Sequence, residues 1–505
     1  MNESKERKKG AILSYVSIIV TTIIQLIYAP FLIRKLGQSE YGLYSLVQSI
    51  IGYLTVLDLG FGNAIIVYTA KYRSQKKYDE EKKLHGMFFL IFCIIGIVAS
   101  VIGLVLYFNV NNLFEKTMTF EELRKAKIMM LILTFNLAIT FPFSIYSSII
   151  SAYEKFTYQK LLSIASTILK PLIMIPLLLF GYRAITMSIV ITIVNIIVLL
   201  SNYLYCKNKL DIKIKFQGFD KVLFKTIFSY SFFIFLSVIV DKVNWSVDQF
   251  VLGAVSGTIA VSVYSVASQI NTLFINLSTA ISGVLLPKMS KMVSENATSE
   301  ELTNEFIKVG RIQWLIIFLA VSGLVLFGKE FIIWWAGDDY LMSYYVAIIL
   351  TIPISLPLIQ NLGISIMQAK NKFKFKAIAT SVMAVVNVII SIFLAKKYGP
   401  VGSATGTAIS LIVCNVVIIN IYYYKVINLN VIKFWKSILK MTIPFIIPVV
   451  IILSIKYITA LTGITSIIVY GSIYTLIYVI IAYKLSINKY EKDLINGFMK
   501  KLKLR

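Results

Sequence analysis

The sequence has few of the side chains that enzymes use for catalysis. It contains one His and three Cys, and it has no glycine-rich phosphate loop, no Walker lysine and no metal-ligand triad. A Ser-His-Asp triad and hydrolysis of ATP by this chain are therefore excluded. Cys93, Cys206 and Cys414 lie in or beside apolar runs without metal-ligand spacing, so we expect neither a disulfide framework nor a zinc site. We predict no cofactor, no metal and no enzymatic activity.

Charge is also scarce. Only 15% of the 505 residues are charged, whereas 58% are apolar, and the mean hydropathy is +0.81. A soluble domain carries about 25% charged residues and cannot hide this much apolar surface in one core. The excess must be solvated by lipid, which excludes a soluble enzyme of two or three domains.

Fourteen apolar runs are long enough to cross about 30 Å of hydrocarbon, which requires roughly 20 residues. All should be helices, because a backbone exposed to lipid must satisfy its own hydrogen bonds. The connecting segments average only about 14 residues, which leaves no room for a soluble catalytic domain. The fold class is therefore an all-α integral membrane protein of about fourteen transmembrane helices. The runs lie near residues 11–33, 41–68, 86–108, 127–150, 161–180, 184–205, 227–252, 260–286, 307–335, 343–368, 375–395, 401–424, 438–459 and 464–484.

The basic residues predict the orientation in the membrane. About three quarters of the Lys and Arg residues fall in alternate segments that include both ends of the sequence. Both termini are therefore predicted to be cytoplasmic, in a multi-pass protein of a plasma membrane. The net charge of +26 is then explained by topology and by contact with anionic lipids at the cytoplasmic face, and no nucleic-acid partner is expected.

The sequence contains an internal repeat. At a separation of 220 residues, Gly37 and Tyr44 fall on Gly257 and Tyr264; at 217 residues, the segment 152–158 falls on 369–375. The predicted domains are an N-terminal six-helix half (1–225), a C-terminal six-helix half (226–425), and an extra helix pair with a basic cytoplasmic tail (426–505). Two parallel halves of six helices predict a V-shaped bundle, a common plan for transporters that alternate access to a central site.

Four spans carry polar stripes at helical spacing. One interpretation is close helix packing through small and hydroxyl residues; the other is a hydrated cavity between the halves, because a charge within the bilayer must be paired or wet. The candidate cavity residues are Ser17, Thr21 and Gln25 in the first span, Gln48 and Asp58 in the second, Asp241, Asn244 and Asp248 in the seventh, and Gln269, Thr272 and Asn276 in the eighth, whose stripe extends to Gly283.

Each ionisable residue within these predicted spans has two interpretations. Asp241 and Asp248 lie seven residues apart on one face, and they either bind a coupling Na⁺ or H⁺ or pair with Lys242 or Lys170. Lys170 and Lys242 are the candidates for binding a phosphate group, with a structural ion pair as the alternative.

Several loose motifs, in a consistent order, resemble those of bacterial polysaccharide (oligosaccharide) flippases. This family belongs to the multidrug/oligosaccharidyl-lipid/polysaccharide exporter superfamily. The motifs are Pro30–Gly37, Glu40–Tyr44, Leu57–Gly62, Asp248–Gly253 with Tyr264, Leu286–Ser290, Phe327–Ile332 and Trp335–Gly337.

The resemblance implies that the chain moves an undecaprenyl-diphosphate-linked oligosaccharide from the inner to the outer leaflet, for capsule, cell-wall or exopolysaccharide assembly. Glycosyltransferases or a polymerase of the same pathway are possible partners. Related lipid II flippases line their cavity with arginines, for which this chain has only Lys170 and Lys242 within its spans. The alternatives are a Na⁺- or H⁺-coupled exporter of drugs or metabolites, a membrane glycosyltransferase or polymerase, for which no segment is long enough, and a scaffold of a glycan-assembly complex.

Overall fold

The computed structural model describes residues 2–216, 221–282, 286–459, 461–493 and 496. The expectation of an all-α fold is confirmed, since the described residues form helices and short connections without any β-strand. The chain divides into two compact units, Met1–Ser262 and Val263–Arg505. The three-part division predicted from the repeat stays a prediction.

The first unit contains seven complete helices and part of an eighth. A short 3₁₀ turn, Thr55–Asp58, separates the second helix from the third. The helices are α1 (Asn2–Leu36), α2 (Gln38–Leu54), α3 (Phe61–Ser74), α4 (Tyr78–Phe114), α5 (Phe120–Ala152), α6 (Phe156–Leu179), α7 (Ala184–Lys209) and α8 (Lys221–Ser282), which continues into the second unit.

The second unit contains the rest of α8 and eight further helices. A π-helical stretch, Ile412–Ile418, precedes α14, and another, Ala482–Ser486, follows α16. The helices are α9 (Leu286–Ser294), α10 (Ser299–Ala336), α11 (Leu341–Leu358), α12 (Asn361–Ala369), α13 (Lys374–Leu411), α14 (Ile419–Lys425), α15 (Val431–Thr459) and α16 (Gly463–Ile481).

Two helical stretches are too long to be single membrane spans: α8, and the 52 residues Lys374–Lys425 that begin with α13. At 1.5 Å per residue, the 62 residues of α8 would extend about 90 Å, three times the hydrocarbon thickness. Gly257 interrupts α8 at φ 82°, and Gly399 interrupts α13 at φ 57°, a region that favours glycine. Twelve helical segments of the described residues are long and apolar enough to cross a membrane. This number is close to the expected total of about fourteen, and each of the two interrupted stretches covers two of the predicted apolar runs.

The backbone supports the internal repeat. Gly37 (φ 77°, ψ 170°) and Gly257 (φ 82°, ψ −176°) have the same conformation and occupy the equivalent turns between a first and a second span. At the second match, Glu154 and Asn371 both adopt the left-handed region, at φ 55° and 56°. Sequence positions that match by residue type therefore also match in backbone geometry.

A pair of stacked rings repeats in the same register. Tyr158 stacks on Tyr205 with ring centroids 3.9 Å apart, and Phe375 stacks on Tyr422 at 4.2 Å. Each partner in the second pair lies 217 residues after its counterpart in the first. The fifth and sixth spans of each half thus pack through equivalent aromatic contacts.

The extra helix pair is fixed to α10 by buried charge. Arg311 of α10 is 8% exposed and Glu491, after α16, is 2% exposed. Arg311 Nε donates to Glu491 Oε1 at 2.6 Å and Nη2 donates to Oε2 at 2.9 Å, a bidentate geometry. Near the other end of α10, Lys456 Nζ of α15 donates to Glu330 Oε1 at 2.7 Å. The pair α15–α16 is therefore part of the second unit's packed core.

Candidate functional site

The second and seventh spans pack along their polar faces within the first unit. Ser49 Oγ of α2 donates to the Ser246 carbonyl of α8 at 3.0 Å. One turn further along α2, a β-carbon on Gly52 would lie 3.7 Å from Lys242 Nζ. Small residues allow membrane helices to approach this closely. Helix packing therefore explains part of both stripes.

The two candidate phosphate-binding lysines have no carboxylate partner in the part of the chain that the structure describes. Neither Lys170 on α6 nor Lys242 on α8 forms an ion pair with any residue that the structure describes. Both ammonium groups are therefore open to an anionic ligand. Asp248, by contrast, is fully buried and already makes a polar interaction. The side chains of Asp241 and Asn244 lie outside the described residues.

Two hydrogen-bond donors of the second span are left over at this packing surface. Gln48 Nε2 and Tyr53 Oη are buried atoms with no hydrogen-bond partner in the described part of the chain. Tyr53 also lies within electrostatic range of Asp248. Buried donors normally find an acceptor, so this part of α2 has spare capacity to bind acceptor groups. A sugar hydroxyl or a phosphate oxygen has that chemistry.

Along the first span, the candidate residues remain accessible. Ser17 and Thr21 are half-buried and Gln25 is exposed. None of the three makes a side-chain hydrogen bond to a described residue. Their polar groups are thus free to contact water or a ligand.

Asp58 has a local structural role. The helical span breaks at the turn Thr55–Asp58, where Leu59 and Gly60 follow with positive φ values of 52° and 73°. The Asp58 carboxylate lies close to the backbone of Gly60 and Gly62 at the start of α3, with Oδ2 3.9 Å from where a β-carbon on Gly62 would lie. A carboxylate in this position stabilises the amino end of a helix. Its predicted place in a cavity stays a prediction.

The stripe of the eighth span divides into a buried and an accessible part. Ser262 and Ser265 are buried, whereas Gln269 is half-buried and Thr272 and Asn276 are exposed. An exposed amide in the middle of a span is costly in lipid and is tolerated where it meets water or a polar ligand. The second half of this stripe is therefore the part suited to contact a polar substrate. Gly283, at the end of the stripe, lies outside the described residues.

Sequence reasoning did not single out Glu122. Glu122 forms a capping box with Thr119 at the start of α5 and also accepts hydrogen bonds from Ser39 and Thr258. The pattern Thr-x-x-Glu before an apolar run could have predicted the cap. The contacts with two other helices could not be read from local sequence.

These features define a multi-pass membrane transporter with an internal repeat, accessible polar faces and, within its spans, two lysines that pair with no carboxylate of the described residues. The chain belongs to the family described as "Polysaccharide biosynthesis protein", whose model matches residues 8–293, more than half of the sequence. It is 24% identical over 407 residues to a Shigella flexneri protein described as an O-antigen transporter, covering 78% of this chain and 92% of that protein.

A second relative is a Haloferax volcanii protein described as a low-salt glycan biosynthesis flippase, 24% identical over 41% of this chain and 43% of its own length. The fold is similar to that of the lipid II flippase MurJ in an inward closed conformation, with a TM-score of 0.73, 20% identity and coverage of 96% and 99% of the two chains. A multidrug transporter of the MATE family, facing inward, matches with a TM-score of 0.62, 14% identity and coverage of 79% and 96%. The relatives are transporters, in agreement with the expectation of a transporter and not an enzyme.

Proposed function

We propose that this protein is a flippase that moves an undecaprenyl-diphosphate-linked oligosaccharide from the inner to the outer leaflet of a bacterial plasma membrane. The observation that carries the proposal is the match to the polysaccharide biosynthesis family across residues 8–293. The names of the relatives, an O-antigen transporter and a glycan biosynthesis flippase, point to the same class of substrate.

The polar faces suit an amphipathic substrate of this kind. Gln25, Thr272 and Asn276 offer hydroxyl and amide groups that can hydrogen-bond to sugars. Lys170 and Lys242, which have no described carboxylate partner, can bind the diphosphate. The apolar polyprenyl tail would remain in the hydrocarbon of the bilayer throughout transport. In this proposal the first, second, seventh and eighth spans line the substrate path, and access alternates between the two leaflets.

The membrane potential can drive the outward step. Two negative charges on the head group move from the negative interior outward, which is favoured by about 2.3 kcal/mol per charge per 100 mV. A coupling ion is therefore unnecessary on energetic grounds. In the same orientation both termini are cytoplasmic, the basic segments contact anionic lipids, and glycosyltransferases or a polymerase act on either side of the transport step.

The test is a deletion strain complemented with lysine variants. We expect the deletion to remove the surface polysaccharide and to accumulate lipid-linked precursor, and we expect Lys170→Ala/Lys242→Ala to complement poorly. Lys440→Ala, an exposed lysine on α15, is the matched control and should complement fully. Surface polysaccharide in the deletion strain without precursor accumulation would contradict the proposal.

One observation favours a second candidate, a Na⁺- or H⁺-coupled exporter. Asp248 is fully buried within α8, and a carboxylate in a membrane span can serve as an ion site. An exporter would change drug susceptibility or dye efflux when it is expressed in a sensitive strain. Unchanged susceptibility and efflux would count against this candidate.

A further inference from the structure

Glu122 lies where two repeat-related turns meet. Gly37 turns the chain between α1 and α2, and Gly257 turns it in the same conformation within α8. Just after these glycines, Ser39 Oγ donates to Glu122 Oε1 at 2.5 Å and Thr258 Oγ1 donates to the same oxygen at 2.7 Å. One carboxylate oxygen therefore joins a turn of the first repeat to the equivalent turn of the second.

The other carboxylate oxygen holds Glu122 in place. Oε2 accepts from the Thr119 backbone N–H at 2.8 Å and from Thr119 Oγ1 at 3.0 Å, which completes the capping box of α5. Glu301 forms the same capping box with Thr298 at the start of α10, with distances of 2.8 and 3.0 Å. In the described part of the chain, Glu301 accepts from no other helix. Glu122 and Glu301 thus form the same kind of cap, but Glu122 also connects two other helical segments through Ser39 and Thr258.

The helices around this bridge are in tight contact. A β-carbon on Gly42 would lie 1.8 Å from the Thr258 carbonyl oxygen, and one on Gly253 would lie 2.8 Å from the Leu46 side chain. Thr117 Oγ1 donates to the Gly253 carbonyl at 2.7 Å. These contacts leave no space for a solute between α2 and α8 at this end.

We propose that Ser39, Glu122 and Thr258 form a latch, the Glu122 latch, which keeps α2 and α8 closed at this end and releases when the protein opens there. Hydrogen bonds to a carboxylate are stronger than those between neutral groups. Two hydroxyls on different repeats cannot stay bonded to one oxygen once those repeats move apart. The predicted topology makes this the outer end, and the inference holds whichever substrate is moved.

The test measures how often this end opens, without any substrate. Ala260, two residues after Thr258, is 7% exposed, so a thiol at that position reacts with a polar maleimide only when the helices separate. Ala260→Cys is introduced into a variant of the full chain that lacks Cys93, Cys206 and Cys414, and labelling is followed in detergent. Ile259→Cys, at a position that is 54% exposed, reports general reactivity.

We expect Glu122→Gln to raise the labelling rate of Ala260→Cys at least about tenfold, because the bonds to a charged acceptor are lost. Ser39→Ala/Thr258→Val should do the same while leaving the cap of α5 intact. The labelling rate of Ile259→Cys should not change in either background. Glu301→Gln, which alters the same type of cap without the bridge, should leave both rates at the parent value.

The proposal is overturned if the hydroxyl double variant, folded as judged by its melting curve, labels Ala260→Cys within twofold of the parent rate. It is equally overturned if Glu301→Gln accelerates labelling as much as Glu122→Gln does, because the effect would then come from the cap. Neither result would bear on the proposed substrate, which the deletion strain tests separately.

Discussion

Gly42 is the position at which the smallest change should separate α2 from α8. Gly42 has only a hydrogen atom where other residues carry a β-carbon, and a methyl group there would lie 1.8 Å from the Thr258 carbonyl oxygen, whereas ordinary contact begins at 3.4 Å. Gly42→Ala therefore requires the two backbones to move apart by about 1.6 Å. Overpacking of this kind costs about 1–3 kcal/mol or more, and here the obstacle is backbone, which has no alternative rotamer.

The matched control is Gly471→Ala in α16, since a β-carbon on Gly471 meets nothing within 4 Å. Replacement of an unhindered helical glycine by alanine stabilises a helix by up to about 1 kcal/mol. The two substitutions are chemically identical, yet we expect thermal unfolding in detergent to shift down for Gly42→Ala and to stay level or shift up for Gly471→Ala.

The labelling rate of Ala260→Cys tests whether Gly42→Ala also makes α2 and α8 separate more often. Gly42→Ala should increase the labelling rate, because the added methyl group forces α2 and α8 apart at the Glu122 latch. Gly471→Ala should leave the rate unchanged. If Gly42→Ala melts at or above the parent temperature and labels at the parent rate, the close approach of α2 and α8 is not a constraint on this protein. The reasoning from the Gly42 contact would then be refuted.

Two further substitutions test other parts of the structure. Arg311→Met should destabilise the second unit by about 3–5 kcal/mol, because it leaves the Glu491 carboxylate buried and unpaired, and Arg311→Met/Glu491→Leu should recover much of that stability. Hydrogen exchange in α15 and α16 measures the change in stability. Equal exchange rates in the single and double variants would contradict this prediction. Asp58→Ala should cost up to about 1 kcal/mol, because it removes a negative charge beside the amino end of α3; the measurement is a lower melting temperature. A loss of polysaccharide export at an unchanged melting temperature would assign Asp58 to the substrate path instead.

Much of the fold is legible in the sequence because membrane insertion depends on local composition. A run of about 20 apolar residues must become a helix in lipid, wherever it occurs. The repeat was also readable, since Gly37 and Gly257 had to be glycines for φ values of 77° and 82°. The breaks in α8 and α13 likewise occur at glycines with positive φ, Gly257 and Gly399.

The candidate site was less predictable, because a polar stripe has the same spacing whatever it faces. The structure distinguishes these cases: Ser49 and Gly52 pack against α8, Asp58 lies beside the amino end of α3, and Thr272 and Asn276 are exposed. Burial depends on which helix lies opposite, and that neighbour can be hundreds of residues away in the chain. Helical periodicity carries no information about it.

By itself, the sequence determined that the chain is a helical membrane protein with many spans and an internal repeat, since hydropathy, backbone hydrogen bonding and glycine conformation are local properties. Only the tertiary structure decided that Glu122 joins Ser39 to Thr258 and that Arg311 pairs with Glu491. These contacts join residues separated by 83 to 180 positions. Whether a charged side chain caps its own helix, bridges two others or meets a ligand depends on the packing that surrounds it.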